Sequence, residues 1–282
     1  MLNGDFETGF SIDEGSEATL RIRHDGNPNR TKITAQDLGN TSFAVKLSHV
    51  QYGTYSGQEA VLLRFNFEFT FQDGGLKRFQ SAAIRLKLEE TQDASLSDPS
   101  PRLPKNDPKI VVIAPVQIYG EVKKESRTRS WELSVPIQYN NRGAQAGLEA
   151  SYTSTTQVEV DHRMQIHGST TSDDEHDDDN IAVWRTIENK AQESGILHQF
   201  PAAVVAVLPA EHERPVKLTA LVQPSIIFSL NPLRLVQKKD DAVFLDRRTP
   251  KGKPFGHGLD FDNPAFPWGD VVNIPKEYHL TS

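Results

Sequence analysis

The chain contains no cysteine among its 282 residues. Disulfides, thiolate metal sites, iron–sulfur clusters and cysteine nucleophiles are therefore excluded. Large secreted β domains often carry disulfides, so their absence favours a reducing compartment. The first residues, MLNGDFETGFSIDEGSE, have neither a basic start nor an apolar core. We therefore expect no signal peptide and a cytoplasmic protein.

Long apolar runs and catalytic motifs are also missing. The longest apolar run, from Ala202 to Pro209, has the length of a strand, well short of the ~18 residues of a transmembrane helix, so we expect no membrane span. There is no G-x-S-x-G, no S-x-x-K and no P-loop. The nine histidines include no H-x-H or H-E-x-x-H spacing. We expect no cofactor and no metal, and the sequence favours a protein that is not an enzyme.

Negative charge is concentrated in one segment, GSTTSDDEHDDDN, at residues 168–180. Its acids are Asp173, Asp174, Glu175, Asp177, Asp178 and Asp179. They supply six of the seven net negative charges, and the nearly neutral remainder argues against nucleic-acid binding. Adjacent carboxylates without a following glycine do not wrap a calcium ion. We therefore expect a solvated loop between two strands, with docking on a partner as the alternative.

Positive charge is concentrated in the tail, residues 237–282, which is rich in glycine and proline. Its basic residues include Lys238, Lys239, Arg247 and Arg248. They are interpreted as a solvated loop, as a patch for an anionic surface, or as the docking site of the acidic loop. The aromatic–proline segment with Phe266 and Trp268 predicts either a groove-bound anchor or a peptide presented to a partner, and we favour the anchor.

Alternation with a period of two residues dominates the rest of the chain. In VLLRFNFEFTF, Val61 and every second residue up to Phe71 are apolar, whereas the residues between them are mostly polar. This pattern predicts a strand with one buried face. The turn signal Asp73-Gly74-Gly75 and a second alternating run, FQSAAIRLKLEE, then predict an antiparallel hairpin.

Further strands are predicted along the chain. KIVVIAPVQIYGEV is expected to form one strand, Lys123 to Arg129 a charged turn, and SWELSVPIQY a strand whose Pro136 indicates an edge or a bulge. The long alternating segment at residues 147–168 predicts a strand with a bulge or a break near residues 154–156. IAVWRTIEN, AAVVAVL, VKLTALVQ and SIIFSL predict four more.

Nine to eleven strands with very little helix predict an all-β fold, an antiparallel β-sandwich built as one unit or as two packed β domains. The proline-rich stretch at residues 91–108 gives a boundary. The predicted regions are an N-terminal β region at 1–108, a C-terminal β region at 109–236 that can share the sandwich, and the tail at 237–282.

Part of the second region resembles a known group. Trp184, Glu188-Asn189, Gly195-Ile196 and Phe200, followed by an apolar strand, are similar to an element of uncharacterised intracellular proteins from filamentous fungi. The strands SWELSVPIQY and STTQVEVDHRMQIHGS look similar to the same group. The resemblance covers about residues 110–240 and implies an all-β fold and a cytoplasmic location, without any activity.

Three functions fit these observations. The leading hypothesis is a non-enzymatic β-sandwich that binds a protein partner or associates with itself. The alternative is a cofactor-free enzyme, such as an isomerase or cyclase, with an apolar pocket between sheets. The third is a membrane-active β protein, because residues 129–168 contain two long amphipathic strands and a membrane strand needs only ~9–11 residues.

Overall fold

The computed structural model describes residues 30–38, 41–71, 77–91, 107–120, 123–137, 148–173, 178–209, 215–228, 231–234, 240–246, 249–256, 259–273 and 279–280. The strands in the first half are β1 (Lys32–Asp37), β2 (Ser42–Tyr55), β3 (Gln58–Thr70), β4 (Lys77–Glu90), β5 (Lys109–Ala114), β6 (Gln117–Tyr119) and β7 (Lys123–Ile137). Those in the second half are β8 (Leu148–His162), β9 (Gln165–Thr171), β10 (Ile181–Ile187), β11 (Gln199–Val207), β12 (Val216–Phe228), β13 (Asn231–Arg234), β14 (Val243–Leu245) and β15 (His279–Leu280). One short helix, α1, covers Trp268–Val271.

Two antiparallel sheets pack together as a sandwich, which confirms the predicted all-β class. The first, sheet A, has the order β1-β2-β3-β11-β5, and the second, sheet B, has the order β13-β12-β4-β10-β9-β6-β15, with β14 beside β12. Strands from both sides of residue 108 contribute to each sheet. β7 and β8 belong to neither and form a two-stranded sheet of their own.

The main core between the sheets contains the alternating apolar face of β3, as its sequence pattern predicts. Phe65 and Phe67 are fully buried, whereas Asn66 between them remains half-buried on the opposite face. The ring centroid of Phe67 lies 5.0 Å from that of Phe200 on β11 and 5.4 Å from that of Trp184 on β10 in sheet B. Each large apolar side chain buried in this way stabilises the fold by about 1.5–3 kcal/mol.

The predicted hairpin between β3 and β4 is wrong, although both strands exist. β3 pairs with β2 and β11, whereas β4 pairs with β12 and β10 in the other sheet. Both strands bury an apolar face in the same core. Two strands can do so either as neighbours in one sheet or as members of two sheets that face each other. Sheets pack ~10 Å apart, a distance that the connection at residues 72–76 spans easily.

Four strand boundaries also differ from the prediction. The run after residue 108 divides at Pro115 into β5 in sheet A and β6 in sheet B. Residues 123–129 form the first half of β7 instead of a turn, because β8 provides a partner for them. β8 has neither a bulge nor a break at 154–156, and the ladder is interrupted at residues 163–164 instead. The strands predicted at VKLTALVQ and SIIFSL are one strand, β12, with a register shift after Ser225.

Two stretches of the tail, residues 249–256 and 259–273, lie across the outer face of sheet A, and we call them together the strap. Lys251 and Val50 exchange two backbone hydrogen bonds of 2.9 and 3.0 Å. The backbone N–H of Thr54 donates to the carbonyl of Leu259 at 2.7 Å. At Gly53 a Cβ would lie 2.0 Å from that same carbonyl oxygen, so only glycine permits this close approach.

The strap builds a second apolar cluster on sheet A. It consists of Ala60, Leu62, Ala203, Val205, Phe261, Phe266 and Val271, with Tyr55, Val111, Val112, Phe255, Trp268 and Val272 packed at its margin. Both faces of the centre of sheet A are therefore covered, one by sheet B and the other by the strap. Within the described ranges, no helix is long and apolar enough to cross a membrane.

Candidate functional site

The β7–β8 hairpin is not part of either sheet of the sandwich. Its two strands pair antiparallel without a register shift, from Lys123 opposite His162 to Ile137 opposite Leu148. At ~3.4 Å per residue, fifteen residues per strand form a ribbon about 48 Å long. In the described part of the chain, neither strand runs beside any strand or helix other than its partner. Among the described strands, the hairpin is thus held together by the pairing of β7 with β8 alone.

The register gives the hairpin two faces of different composition. The polar face has Lys124, Ser126, Thr128, Ser130, Glu132, Ser134 and Pro136 on β7, and Glu149, Ser151, Thr153, Thr155, Gln157, Glu159 and Asp161 on β8. The mixed face has Lys123, Glu125, Arg127, Arg129, Trp131, Leu133, Val135 and Ile137 on β7, and Leu148, Ala150, Tyr152, Ser154, Thr156, Val158, Val160 and His162 on β8. From Trp131 to Ile137 every β7 residue of the mixed face is apolar. The β8 residues opposite that stretch are Leu148, Ala150, Tyr152 and Ser154, of which only Ser154 is small and polar.

The hairpin also has two outer edges that no described strand occupies. Such edges present rows of backbone N–H and C=O groups that can pair with another strand. The two edges differ in charge, because β7 has four Lys or Arg residues against two Glu, whereas β8 has three carboxylates and no Lys or Arg. Pro136 lies in β7, so the edge position that its sequence indicates is confirmed.

The base of the hairpin continues the pairing of β6 with β9. The backbone N–H of Gly120 donates to the carbonyl of Met164 at 2.9 Å, and the next described pair is Lys123 with His162. Nearby, the guanidinium of Arg163 lies 3.6 Å from the ring centroid of Tyr119, a cation–π contact at the base of the hairpin.

The acidic segment connects β9 to β10, which pair antiparallel, so the predicted strand connection is confirmed. The carboxylate of Asp173 lies 2.8 Å from the ammonium of Lys87. Asp178 lies 2.7 Å from Lys109 and raises the pKa of that exposed ammonium through their hydrogen bond. Thr170 donates to the carboxylate of Asp179. Within the described residues, no group of His, Asp and Glu side chains is arranged to hold a metal ion.

Other predicted site residues lie outside the described ranges. They are Asp174, Glu175, Asp177, Lys238, Lys239, Arg247 and Arg248. Docking of the acidic loop on the basic tail therefore stays a prediction. The described acids Asp173 and Asp178 pair with lysines of the sandwich.

The aromatic–proline segment is part of the strap. Phe266 is buried against Phe261, with ring centroids 5.4 Å apart, and Trp268 packs edge-on against Phe266 at 5.2 Å. The backbone N–H groups of Phe266 and Trp268 donate to Asn263 and Phe266, in a compact turn before α1. These contacts place both side chains against the chain's own sheet A, in the anchoring arrangement.

A cationic cluster lies under the strap and was not anticipated from the sequence. Arg64 donates from Nε to the carbonyl of Val271 at 2.7 Å and from a terminal nitrogen to the Ser48 hydroxyl at 2.9 Å. The ring of His49 lies 4.6 Å from that of Phe255. Burial lowers the pKa of His49, and the charges of Arg64 and Lys251 lower it further. No linear motif marks this cluster, because its strap residue Lys251 lies about 190–200 residues after Arg64 and His49.

Comparisons with known proteins give little additional information. No protein-family model matches the chain, and no curated protein matches it either. Among solved structures, the chain is similar to the Clostridium perfringens NetB toxin in its membrane-inserted form. The identity is 11%, with 77% of this chain and 89% of that chain covered, at a TM-score of 0.30. A TM-score of 0.30 is too low to show a shared fold, and the resemblance to fungal proteins stays a prediction.

Proposed function

We propose that this protein is a non-enzymatic, self-associating β protein that inserts its β7–β8 hairpin into a lipid bilayer. The observation that carries the proposal is the hairpin itself, with fifteen residues per strand, two outer edges that no described strand occupies, and two faces of different composition. A cytoplasmic location is part of the proposal, and the absence of cysteine fits a reducing compartment. The sandwich and the strap provide the stable body that carries the hairpin.

The partner that fits these outer edges is a second copy of the chain. β7 has a surplus of two positive charges and β8 a surplus of three negative charges, so the β7 edge of one copy attracts the β8 edge of the next. The same pairing repeated between successive copies is heterologous, and it forms a ring when the rotation between copies closes. Pairing two β7 edges would instead place like charges opposite each other.

The two faces then suit a bilayer. In hydrocarbon every backbone polar group needs an internal partner, a condition that a closed ring of paired strands meets. The polar faces would line a water-filled passage, whereas the apolar part of the mixed faces would contact lipid. That part extends ~20 Å along the strand from Trp131 to Ile137, which is ~16 Å across a bilayer at a tilt of ~40°, about two-thirds of the ~25 Å apolar band of a membrane barrel.

The absence of native cysteine allows a direct test with single labels. Leu133→Cys on the mixed face and Ser134→Cys on the polar face are neighbours on β7 and form a matched pair. Each variant carries a dye whose fluorescence rises in apolar surroundings, and phospholipid vesicles loaded with a quenched dye report leakage. We expect leakage with both variants, and a fluorescence rise at position 133 that is absent at position 134.

Two results contradict the proposal. Equal fluorescence changes at both positions would show that the hairpin does not present one face to lipid. A protein that stays monomeric on vesicles by chemical cross-linking, and releases no dye at any concentration, would remove both self-association and insertion. Circular dichroism of each labelled variant shows beforehand that the sandwich is folded.

A further inference from the structure

The mixed face of the hairpin changes in character along its length. Its distal half is apolar from Trp131 onwards, whereas its proximal half has Lys123, Arg127 and Arg129 against one carboxylate, Glu125. The sequence of cation, aromatic residue and apolar residues along one face matches the profile of a bilayer from headgroup to hydrocarbon, in which tryptophan is enriched at the interface. The opposite, polar face has one cation, Lys124, against four carboxylates.

We propose that the proximal half of the mixed face binds anionic lipid headgroups, so that the hairpin prefers negatively charged bilayers. This inference rests on the proposed insertion of the hairpin. Basic residues beside a membrane-inserted segment attract anionic lipids within about a Debye length. Because only the mixed face contacts lipid in the proposed arrangement, its cations determine the preference, and those of the polar face do not.

The spacing supports a headgroup contact for two of the cations. Arg129 lies two residues and Arg127 four residues from Trp131, which is ~7 and ~14 Å along the strand. At a tilt of ~40° these distances become ~5 and ~10 Å across the membrane. The headgroup layer is ~5–8 Å thick on each side of the hydrocarbon, so Arg129 falls within it and Arg127 at its outer limit. Arginine also forms paired hydrogen bonds with phosphate and carboxylate oxygens, the groups that phosphatidylserine offers.

The test compares vesicles of pure phosphatidylcholine with vesicles of equimolar phosphatidylcholine and phosphatidylserine. Binding of the full chain is measured by sedimentation with the vesicles, and leakage is measured in parallel. The variants are Arg129→Gln and Arg127→Gln, and the control is Lys124→Gln, which removes the same charge from the polar face of the same strand. All three positions lie on the β7–β8 hairpin, so the sandwich is expected to fold in each variant.

We expect tighter binding to the mixed vesicles, and a loss of about fivefold for each arginine variant, the effect of one basic residue near an anionic surface. The control is expected to bind as the unaltered protein does. The preference should weaken at ~1 M salt, where the Debye length is ~3 Å.

Equal binding to both vesicle types, or an equal loss for Lys124→Gln and Arg129→Gln, overturns the inference. Leakage that is the same from both vesicle types supports the proposed function and overturns the lipid preference. Selective binding to the mixed vesicles that the arginine variants lose and Lys124→Gln keeps, without leakage and without the face-dependent fluorescence at positions 133 and 134, overturns the proposed function and supports the headgroup contact of the two arginines. The two failures are thus distinguishable.

Discussion

Replacing Glu188 by glutamine is expected to destabilise the sandwich by about 3 kcal/mol, because it removes the buried counter-charge of Arg78. Glu188 follows β10, and its side chain is 2% exposed. Its Oε2 accepts hydrogen bonds from Arg78 Nε at 2.8 Å and from the backbone N–H of Gly195 at 3.0 Å. Arg78 on β4 is 11% exposed, so solvent screens this ion pair little.

The size of the expected destabilisation follows from the groups that Glu188→Gln leaves around Arg78. Removing one partner of a buried ion pair costs about 3–5 kcal/mol. Two features place Glu188→Gln at the lower end of that range. Glutamine still offers an oxygen to the Gly195 N–H, and Glu193, 67% exposed, lies 3.4 Å from a terminal nitrogen of Arg78 and retains part of the attraction. For a chain of this size, about 3 kcal/mol lowers Tm by roughly 6–12 °C.

The assay is urea unfolding followed by tryptophan fluorescence, because Trp184 is fully buried and becomes solvated on unfolding. The control is Glu68→Gln, whose carboxylate lies 2.6 Å from Lys46 in an ion pair with 30% and 37% exposed side chains. Exposed pairs contribute at most about 1 kcal/mol. If Glu188→Gln costs no more than Glu68→Gln, the reasoning from burial is refuted.

Three further predictions concern the strap and Glu89 on β4, whose carboxylate lies 2.8 Å from the ammonium of Lys87 and 3.0 Å from that of Lys217. Phe261→Ala should cost about 3–5 kcal/mol in urea unfolding, because the ring is 2% exposed in the second apolar cluster; a loss below 1 kcal/mol would mean that the strap hardly contributes to stability. Burial, Arg64 and Lys251 lower the pKa of His49, so its neutral ring contributes fully to stability above the ordinary pKa of about 6.5. That contribution is lost as the pH falls through the pKa of the folded state. His49→Gln should therefore show a smaller drop in Tm between pH 7.5 and 5.5 than the unaltered protein. Burial alone would raise the pKa of Glu89, but its lysine partners outweigh burial and lower it, so Glu89→Gln should reduce the loss of stability below about pH 4.5; an unchanged acid slope would contradict this assignment.

The strands of the sandwich could be predicted because their alternation reflects burial directly. Every second residue from Val61 to Phe71 is buried in the main core, as the period of two requires. The same holds for Trp184, which is fully buried in β10 and donates its indole N–H to the carbonyl of Pro115 at 3.0 Å. Alternation determines which face of a strand is apolar, and in a sandwich that face meets the other sheet.

Strand partners could not be predicted in the same way, and the β3–β4 pair shows the reason. A turn signal such as Asp73-Gly74-Gly75 shows that the chain changes direction, but a hairpin and a crossing between sheets both need such a change. The two arrangements bury identical faces of β3 and β4, so the periodicity does not distinguish them. Which arrangement forms depends on β11, which pairs with β3, and on β12, which pairs with β4. Both partners lie more than a hundred residues further along the chain.

The proximal half of the hairpin was missed for another reason. Lys123 to Arg129 contain four basic residues and no apolar residue, and such a run is normally solvated. In the structure it is paired along its whole length with residues 156–162, where Glu159 and Asp161 provide opposite charge on the partner strand. The signal that could have found it is the opposite net charge of the two segments, positive at residues 123–129 and negative at residues 156–162.

The outer edges of the hairpin bear on how association could occur. Most strands of the sandwich would have to break an existing ladder to accept another chain, whereas β7 and β8 each have one edge without a described partner. Pairing with a second copy therefore adds backbone hydrogen bonds without first removing any, and its main costs are the lost freedom of two molecules and the desolvation of the edges. A membrane surface reduces the first cost by concentrating the chains. Association should accordingly be weak in solution and strong on vesicles, so the dimerisation detected by cross-linking should increase with lipid at constant protein concentration.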